Sequence, residues 1–246
     1  MSLKCKPTVT RRAFVASSLA GVMSTTLPFP GAAEAATQKF SLRAAQGRTR
    51  IVPEPHSDTA AWCYNGKVPG PEIRIRQGER LQVEVTNDLA EETTVHWHGI
   101  RLPNAMDGVP HLTQVPIAPG DKFVYEFDAV DAGTFWYHPH QRSFEQVGRG
   151  LYGPLIVEEA NPPRVDREVT WVLDDWRLTD DASISDDFGN AHDVSHAGRL
   201  GNTVTINGLV PATSGTITVG PSVVTGLRGR RLRQLRGHIG MIFQGF

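Results

Sequence analysis

Short runs in which apolar and polar residues alternate recur through the middle of the chain, and they restrict its fold more than any other feature. Residues 73–76 and 81–85 are clear examples, with a turn at Gln77-Gly78-Glu79 between them. A period of two places the apolar side chains on one face of a strand. Further strand-like runs, joined by turn-forming segments, lie at residues 123–127, 133–137, 155–157, 169–173 and 203–207. Because no amphipathic helical pattern separates the runs, the sequence predicts an all-β chain folded as an antiparallel Greek-key sandwich.

Charge and cysteine content exclude several classes of protein. The 246 residues include 25 Lys and Arg against 26 Asp and Glu, so no overall basic bias indicates nucleic-acid binding. The two cysteines, Cys5 and Cys63, are too few for a disulfide framework or a four-cysteine zinc site. The charge is nevertheless uneven. Residues 36–222 carry 16 basic and 25 acidic side chains, a net −9, whereas residues 223–246 carry five Arg and no acid, a net +5.

The first 35 residues have the pattern of a targeting segment. Arg11 and Arg12 precede a mildly apolar stretch over residues 13–27, and Ala33-Glu34-Ala35 offers an A-x-A cleavage site. The apolar stretch is too short and too rich in Ser and Gly for a transmembrane anchor. The pattern predicts a twin-arginine-type signal peptide over residues 1–35 and export to the periplasm or the exterior. A Sec-type signal with an incidental Arg pair is the alternative.

Two His-x-His pairs, His96/His98 and His138/His140, carry the chemistry that the sequence suggests. Residues i and i+2 of a strand project to the same face, so each pair presents two imidazoles side by side. Packing of the two segments in a sandwich could bring all four together. Neutral imidazole suits Cu, Zn, Fe or Ni, and the Irving–Williams order favours copper. The residues alone therefore predict a four-histidine transition-metal site but do not identify the metal.

The motifs around these histidines resemble the first cupredoxin domain of a multicopper oxidase. The likeness runs in order over about residues 40–160. It includes residues 64–71, His96-Trp97-His98-Gly99, Asp107-Gly108-Val109-Pro110, Pro119-Gly120, residues 136–140 and residues 150–155. The resemblance implies a cupredoxin-like β-sandwich and copper as cofactor. In that family a type 1 copper takes electrons singly from a substrate, and a trinuclear cluster held by eight histidines in four motifs reduces O2 to water.

The resemblance also implies roles for individual residues. His96 matches the ligand to the type 2 copper, and His98, His138 and His140 match ligands to the type 3 pair. Asp107 matches an acidic residue that relays protons near the cluster, with an ordinary Asp-Gly turn as the alternative. The neighbouring aromatic residues are interpreted as packing around the ligands: Trp97, Trp136 and Tyr137.

Other candidate ligands fit no such motif. His192 and His196 have i, i+4 spacing, but they lie in an Asp/Ser/Gly-rich stretch over residues 179–201 that predicts a solvated loop. Cys63 has no His nearby in sequence and is interpreted as a small buried residue rather than a type 1 copper ligand.

The sequence contains only part of the pattern of a complete oxidase. A polar, Pro-bearing segment at residues 160–163 is typical of a linker, which places the first domain at residues 36–160 and the start of an incomplete second cupredoxin domain at residues 161–222. The chain has no His-Cys-His and no His-Pro-x-His motif. We therefore expect half of the trinuclear ligands and no type 1 site. Turnover with O2 and a phenol or metal ion would need a chain that supplies the missing domain. The alternatives are a non-catalytic copper-binding module and a defective fragment.

The basic tail, residues 223–246, differs in character from the rest. Residues 224–236 and 239–244 resemble the segment that leads into the glutamine loop of ABC-transporter ATPases, especially the phosphonate-import type. No G-x-x-x-x-G-K-[ST] motif lies upstream, which excludes nucleotide hydrolysis. The expectation is a segment foreign to the fold, and an ordinary basic amphipathic tail is the alternative.

Copper-loaded protein should show no intense blue absorption. That colour requires a copper bound to a Cys thiolate together with two His, and the sequence offers no such set. Visible spectroscopy after addition of Cu(II) tests this, and a strong thiolate-to-copper band would contradict it.

Overall fold

Most of the alternating runs form strands, and these assemble into two four-stranded sheets. The computed structural model describes residues 36–166, 168–195, 198–208, 218–219 and 222–223. The predicted signal segment, His196 and the predicted ABC-like segment at residues 224–246 lie outside the described residues.

The first sheet has the strand order β2-β1-β4-β6. Its members are β1 (Thr37–Thr49), β2 (Thr59–Tyr64), β4 (Arg80–Asp88) and β6 (Lys122–Asp128). β1 and β4 run parallel, whereas β1–β2 and β4–β6 are antiparallel. The sequence predicted an antiparallel sandwich, and the parallel direction of the β1–β4 pair is one part of that prediction that was wrong, because alternation within a strand does not reveal which distant strand lies beside it.

The second sheet has the order β3-β8-β7-β5 and carries both His-x-His segments. Its members are β3 (Ile73–Arg76), β5 (His96–His98), β7 (Gly133–His138) and β8 (Gly153–Glu158). Only β3 and β8 pair in parallel within this sheet. The short strand β5 lies at the sheet edge, so one side of it remains unpaired within the sheet.

Two short helices and two further strand pairs complete the described elements. They are a 3-10 helix (Asn104–Met106), α1 (Ser143–Gln146), β9 (Leu173–Trp176) paired with β10 (Thr203–Ile206), and β11 (Thr218–Val219) paired with β12 (Ser222–Val223). The strand expected at residues 169–173 instead begins at Leu173, with Val169 and Trp171 exposed. Among the described residues no helix is long and apolar enough to cross a membrane.

The main core contains inward-facing side chains from both sheets. Alternate residues of β4, namely Leu81, Val83 and Val85, are fully buried and belong to the same apolar cluster as Trp97 and Tyr137. This arrangement confirms the cupredoxin-like β-sandwich, since the buried residues follow the period of two seen in the sequence.

A second apolar cluster joins the two four-stranded sheets to the segment after residue 170. Trp176, Leu178 and Ile184 pack there with residues that include Cys63 and Tyr152. The Thr59 hydroxyl donates a hydrogen bond to the Ala182 carbonyl oxygen at 2.8 Å across the same junction. Cys63 is confirmed as a buried residue, and burial raises the pKa of its thiol.

Truncation of Trp176 should destabilise the protein by about 3–5 kcal/mol, the usual cost of removing a buried Trp side chain. Trp176 is 1% exposed, and its indole N–H donates to Thr205 Oγ1 at 3.2 Å. Trp171 is 51% exposed, so Trp171→Ala is the matched control and should change the free energy of unfolding by about 0.5 kcal/mol or less. Equal effects of Trp176→Ala and Trp171→Ala in chemical denaturation would show that the second cluster contributes little.

Candidate metal centre

The antiparallel pairing of β5 with β7 brings the two His-x-His segments together. His96 lies directly opposite His138, and His98 lies opposite Trp136. Opposed residues of an antiparallel pair share a face, and so do residues i and i+2. One face of the β5–β7 pair therefore carries the imidazoles, while the side chains of Trp97 and Tyr137 point from the other face into the core.

The four imidazoles form one cluster. Ring centroids lie 5.6 Å apart for His96 and His98, 5.4 Å for His96 and His138, and 4.7 Å for His96 and His140. One nitrogen from each of His96, His98 and His138 lies within 4.8 Å of the others. Three donors at this separation can face one metal ion, with His140 adjacent.

Burial favours the neutral form of at least two of these imidazoles. Burial lowers the pKa of His138 well below its usual range, and the nearby His96 lowers it further. Burial likewise lowers the pKa of His140, and His96 adds to this effect. Neutral imidazole is the form that binds a metal, so the environment favours the ligand state over the imidazolium.

Backbone carbonyl groups orient two of the rings. His96 Nδ1 lies 2.7 Å from the Asp107 carbonyl oxygen, and His138 Nδ1 lies 2.9 Å from that of Pro139. A carbonyl oxygen only accepts, so each Nδ1 carries the hydrogen and donates it. The lone pair of each ring is then on Nε2, which is the arrangement expected of a metal ligand held by an outer contact.

Asp107 lies beside the cluster, as its place after the first histidine motif suggested. Its carboxylate Oδ1 is 3.3 Å from His96 Nδ1, and its side chain is 32% exposed. Its negative charge raises the pKa of His140, which partly opposes the effect of burial. The carboxylate thus reaches both the cluster and solvent.

Gly108 was visible in the sequence only as part of an Asp-Gly turn, yet it makes a close contact beside His96. Its φ is +74°, and a Cβ there would lie 1.9 Å from the Val95 carbonyl oxygen and 2.8 Å from the His96 backbone nitrogen. Only glycine permits the chain to pass so near the strand that presents His96. The Asp-Gly pair predicted a turn, but nothing in the sequence showed what the turn abuts.

The aromatic residues near the ligands pack as interpreted, with one additional contact. Trp97 lies edge-on to Tyr125 and Phe127 and tilted against Tyr137 in the core. Trp136 instead lies on the imidazole face, where it stacks on His138 with ring centroids 4.0 Å apart. The indole therefore covers one side of the most buried imidazole.

The weaker candidates lie apart from this cluster. His192 is exposed in the irregular segment after β9, where a loop was predicted. Cys63 lies in the second apolar cluster, on β2 of the other sheet.

The part of the chain that contains both histidine pairs is similar to known proteins. A family model described as multicopper oxidase matches residues 46–162, the part that contains both histidine pairs. The matched segment belongs to the multicopper oxidase family. Copper resistance protein A of Escherichia coli is 40% identical over 168 residues, which are 66% of this chain and 27% of that protein. Laccase-2 of Botryotinia fuckeliana is 43% identical over 130 residues, which are 51% of this chain and 22% of that protein.

Solved structures of multicopper oxidases share the fold. A multi-copper oxidase from Pseudomonas thermotolerans superposes with a TM-score of 0.67 and 43% identity, covering 72% of this chain and 42% of that one. The chain thus spans about a quarter of the length of the curated relatives above and less than half of this solved chain. Members of the multicopper oxidase family use copper, O2 and a reducing substrate, so copper is the metal that the family implies for the imidazole cluster.

Substitution of Gly108 should cost far more stability than substitution of another glycine with positive φ. Gly120 has φ +83°, and no atom lies within 4 Å of the point that a Cβ would occupy, so Gly120→Ala tests the backbone conformation alone, at about 1–2 kcal/mol. Gly108→Ala adds a clash with the Val95 carbonyl group and should cost about 3–5 kcal/mol. Chemical denaturation of both variants measures the difference, and equal losses would contradict the close approach.

Proposed function

We propose that this chain provides half of the trinuclear copper site of an exported multicopper oxidase. The observation that carries the proposal is the four-imidazole cluster, in which nitrogens of His96, His98 and His138 lie within 4.8 Å of one another. The oxidase would couple one-electron oxidation of a phenol or a metal ion to reduction of O2 to water.

The residues present fit copper. The donors are imidazole nitrogens, which suit copper among the divalent metals. Burial lowers the pKa of His138 and His140 and so favours their neutral form, and the Asp107 and Pro139 carbonyl groups orient two rings. Copper bound here supplies the redox chemistry by which the family reduces O2.

We assign the ligands as the family pattern does. His96 would hold the type 2 copper, and His98, His138 and His140 would contribute to the type 3 pair. The Asp107 carboxylate, which reaches both His96 and solvent, would hold and release a proton at Oδ1 for reduced oxygen species. His96, His98 and His140 are only partly buried, so their face is accessible to ligands from another domain.

The remaining ligands and the type 1 copper would come from a further cupredoxin domain that residues 1–246 do not include. In this proposal residues 1–35 direct export, residues 36–160 form the first cupredoxin domain, and residues 161–222 begin a second. The ABC-transporter resemblance of residues 224–246 remains a hypothesis about a segment foreign to the fold.

A non-catalytic copper-binding module is the second candidate. The three nitrogens within 4.8 Å favour it, because they can serve one ion without any other domain. Such a module would bind copper and consume no O2.

Replacement of a half-buried ligand should weaken copper binding while leaving the fold intact. We expect His98→Ala to lower the Cu(II) affinity of the full chain at least about 10-fold, measured by competition with a chromophoric chelator. The chain alone should hold copper in labile form, because it supplies only part of the ligand set.

His192→Ala is the matched control, since His192 is exposed and does not belong to the imidazole cluster, and the variant should bind copper as the wild type does. Equal affinities of His98→Ala and wild type would refute the assignment. Oxygen uptake in parallel separates the two functions: turnover should appear only with a chain that supplies the other domain. A copper-loaded chain that remains inactive with that partner would favour the binding module.

A further inference from the structure

The backbone of His140 is held by a side chain rather than by the sheet. The ladder between β5 and β7 ends at the His96–His138 pair, so His140 lies two residues beyond it. The His140 amide N–H donates to Thr94 Oγ1 at 3.1 Å. Thr94 is fully buried and precedes His96 by two residues. This contact therefore connects the backbone of the second histidine pair to the segment that leads into the first.

Neighbouring contacts fix the position of Thr94. Thr93 exchanges two backbone hydrogen bonds with Ile117, at 3.1 Å and 2.8 Å. The Thr93 hydroxyl donates to Gln146 Oε1 at 2.7 Å. Hydrogen bonds therefore hold both the backbone and the side chain of Thr93, the residue that directly precedes Thr94.

Gln146 connects this segment to helix α1, which follows the second histidine pair. Its side chain is fully buried, and its Nε2 donates to Glu91 Oε1 and to the Glu92 carbonyl oxygen, each at 2.8 Å. Together with the bond from Thr93, three of its four hydrogen-bonding positions are used. Hydrogen bonds therefore connect the chain before the first pair to the chain after the second pair.

We propose that Thr94 is a positioning residue for copper binding, whose hydroxyl sets the position of His140 relative to His96 and His98. This inference rests on the proposed function of the four imidazoles. Thr94 and His140 both lie beyond the end of the β5–β7 ladder, and the hydrogen bond from the His140 amide to the Thr94 hydroxyl joins their segments directly. Outer contacts of this kind commonly alter metal affinity by 10- to 100-fold.

The test compares three variants of the full chain. Thr94→Val removes the acceptor at nearly constant volume, and Thr94→Ser retains the hydroxyl. Thr59→Val is the matched control, because Thr59 is also a buried Thr whose hydroxyl makes a hydrogen bond, to the Ala182 carbonyl oxygen, and it lies on the other sheet. Amide hydrogen exchange at His140 in the metal-free protein and Cu(II) affinity by chelator competition are the two measurements.

Thr94→Val should speed exchange of the His140 amide about 10-fold and weaken Cu(II) binding about 10-fold, whereas Thr94→Ser should restore both. Thr59→Val should change neither, although it lowers stability. The inference is overturned if the His140 amide of Thr94→Val exchanges at the wild-type rate. It is also overturned if Thr94→Val binds Cu(II) with the wild-type affinity. A wild-type chain that binds no copper refutes the proposed function instead, and the exchange measurement then decides alone whether Thr94 holds His140.

Discussion

The pairing of β5 with β7 is the interaction on which the rest of the molecule depends. It places His96 opposite His138 on one face and directs Trp97 and Tyr137 to the other. A shift of register by one residue would exchange these faces and put imidazoles into the core. Trp97 and Tyr137 are fully buried, so the packing that stabilises the sandwich also maintains the arrangement of the imidazoles.

Local contacts then refine what the register sets. Carbonyl groups orient His96 and His138, burial keeps His138 neutral, and Gly108 lets the Asp107 turn approach the strand. Each effect alters the protonation, orientation or environment of an imidazole rather than adding a donor. The carbonyl contacts, the burial and the Gly108 turn that adjust the imidazole cluster are therefore also parts of the fold itself.

Period-two alternation and i, i+2 spacing are local properties, and from them the sequence predicted the sandwich and the two imidazoles side by side in each pair. The convergence of the two pairs followed from the packing expected in a sandwich, and the buried state of Cys63 from the lack of a His near it in sequence. It failed where the answer depends on distant segments. The parallel pairing of β1 with β4, the start of β9 at Leu173 and the contact of Gly108 with Val95 are of this kind. The bond from His140 to Thr94 likewise joins residues 46 positions apart, which no local pattern reveals.

The central claim is that the face formed by β5 and β7 binds copper. Crystals of the copper-loaded chain, measured at the copper absorption edge, test it most directly through an anomalous difference map. The account predicts a copper peak within ligand distance of the imidazoles of His96, His98 and His138. Copper bound elsewhere on the chain, with no peak at these imidazoles, would contradict it.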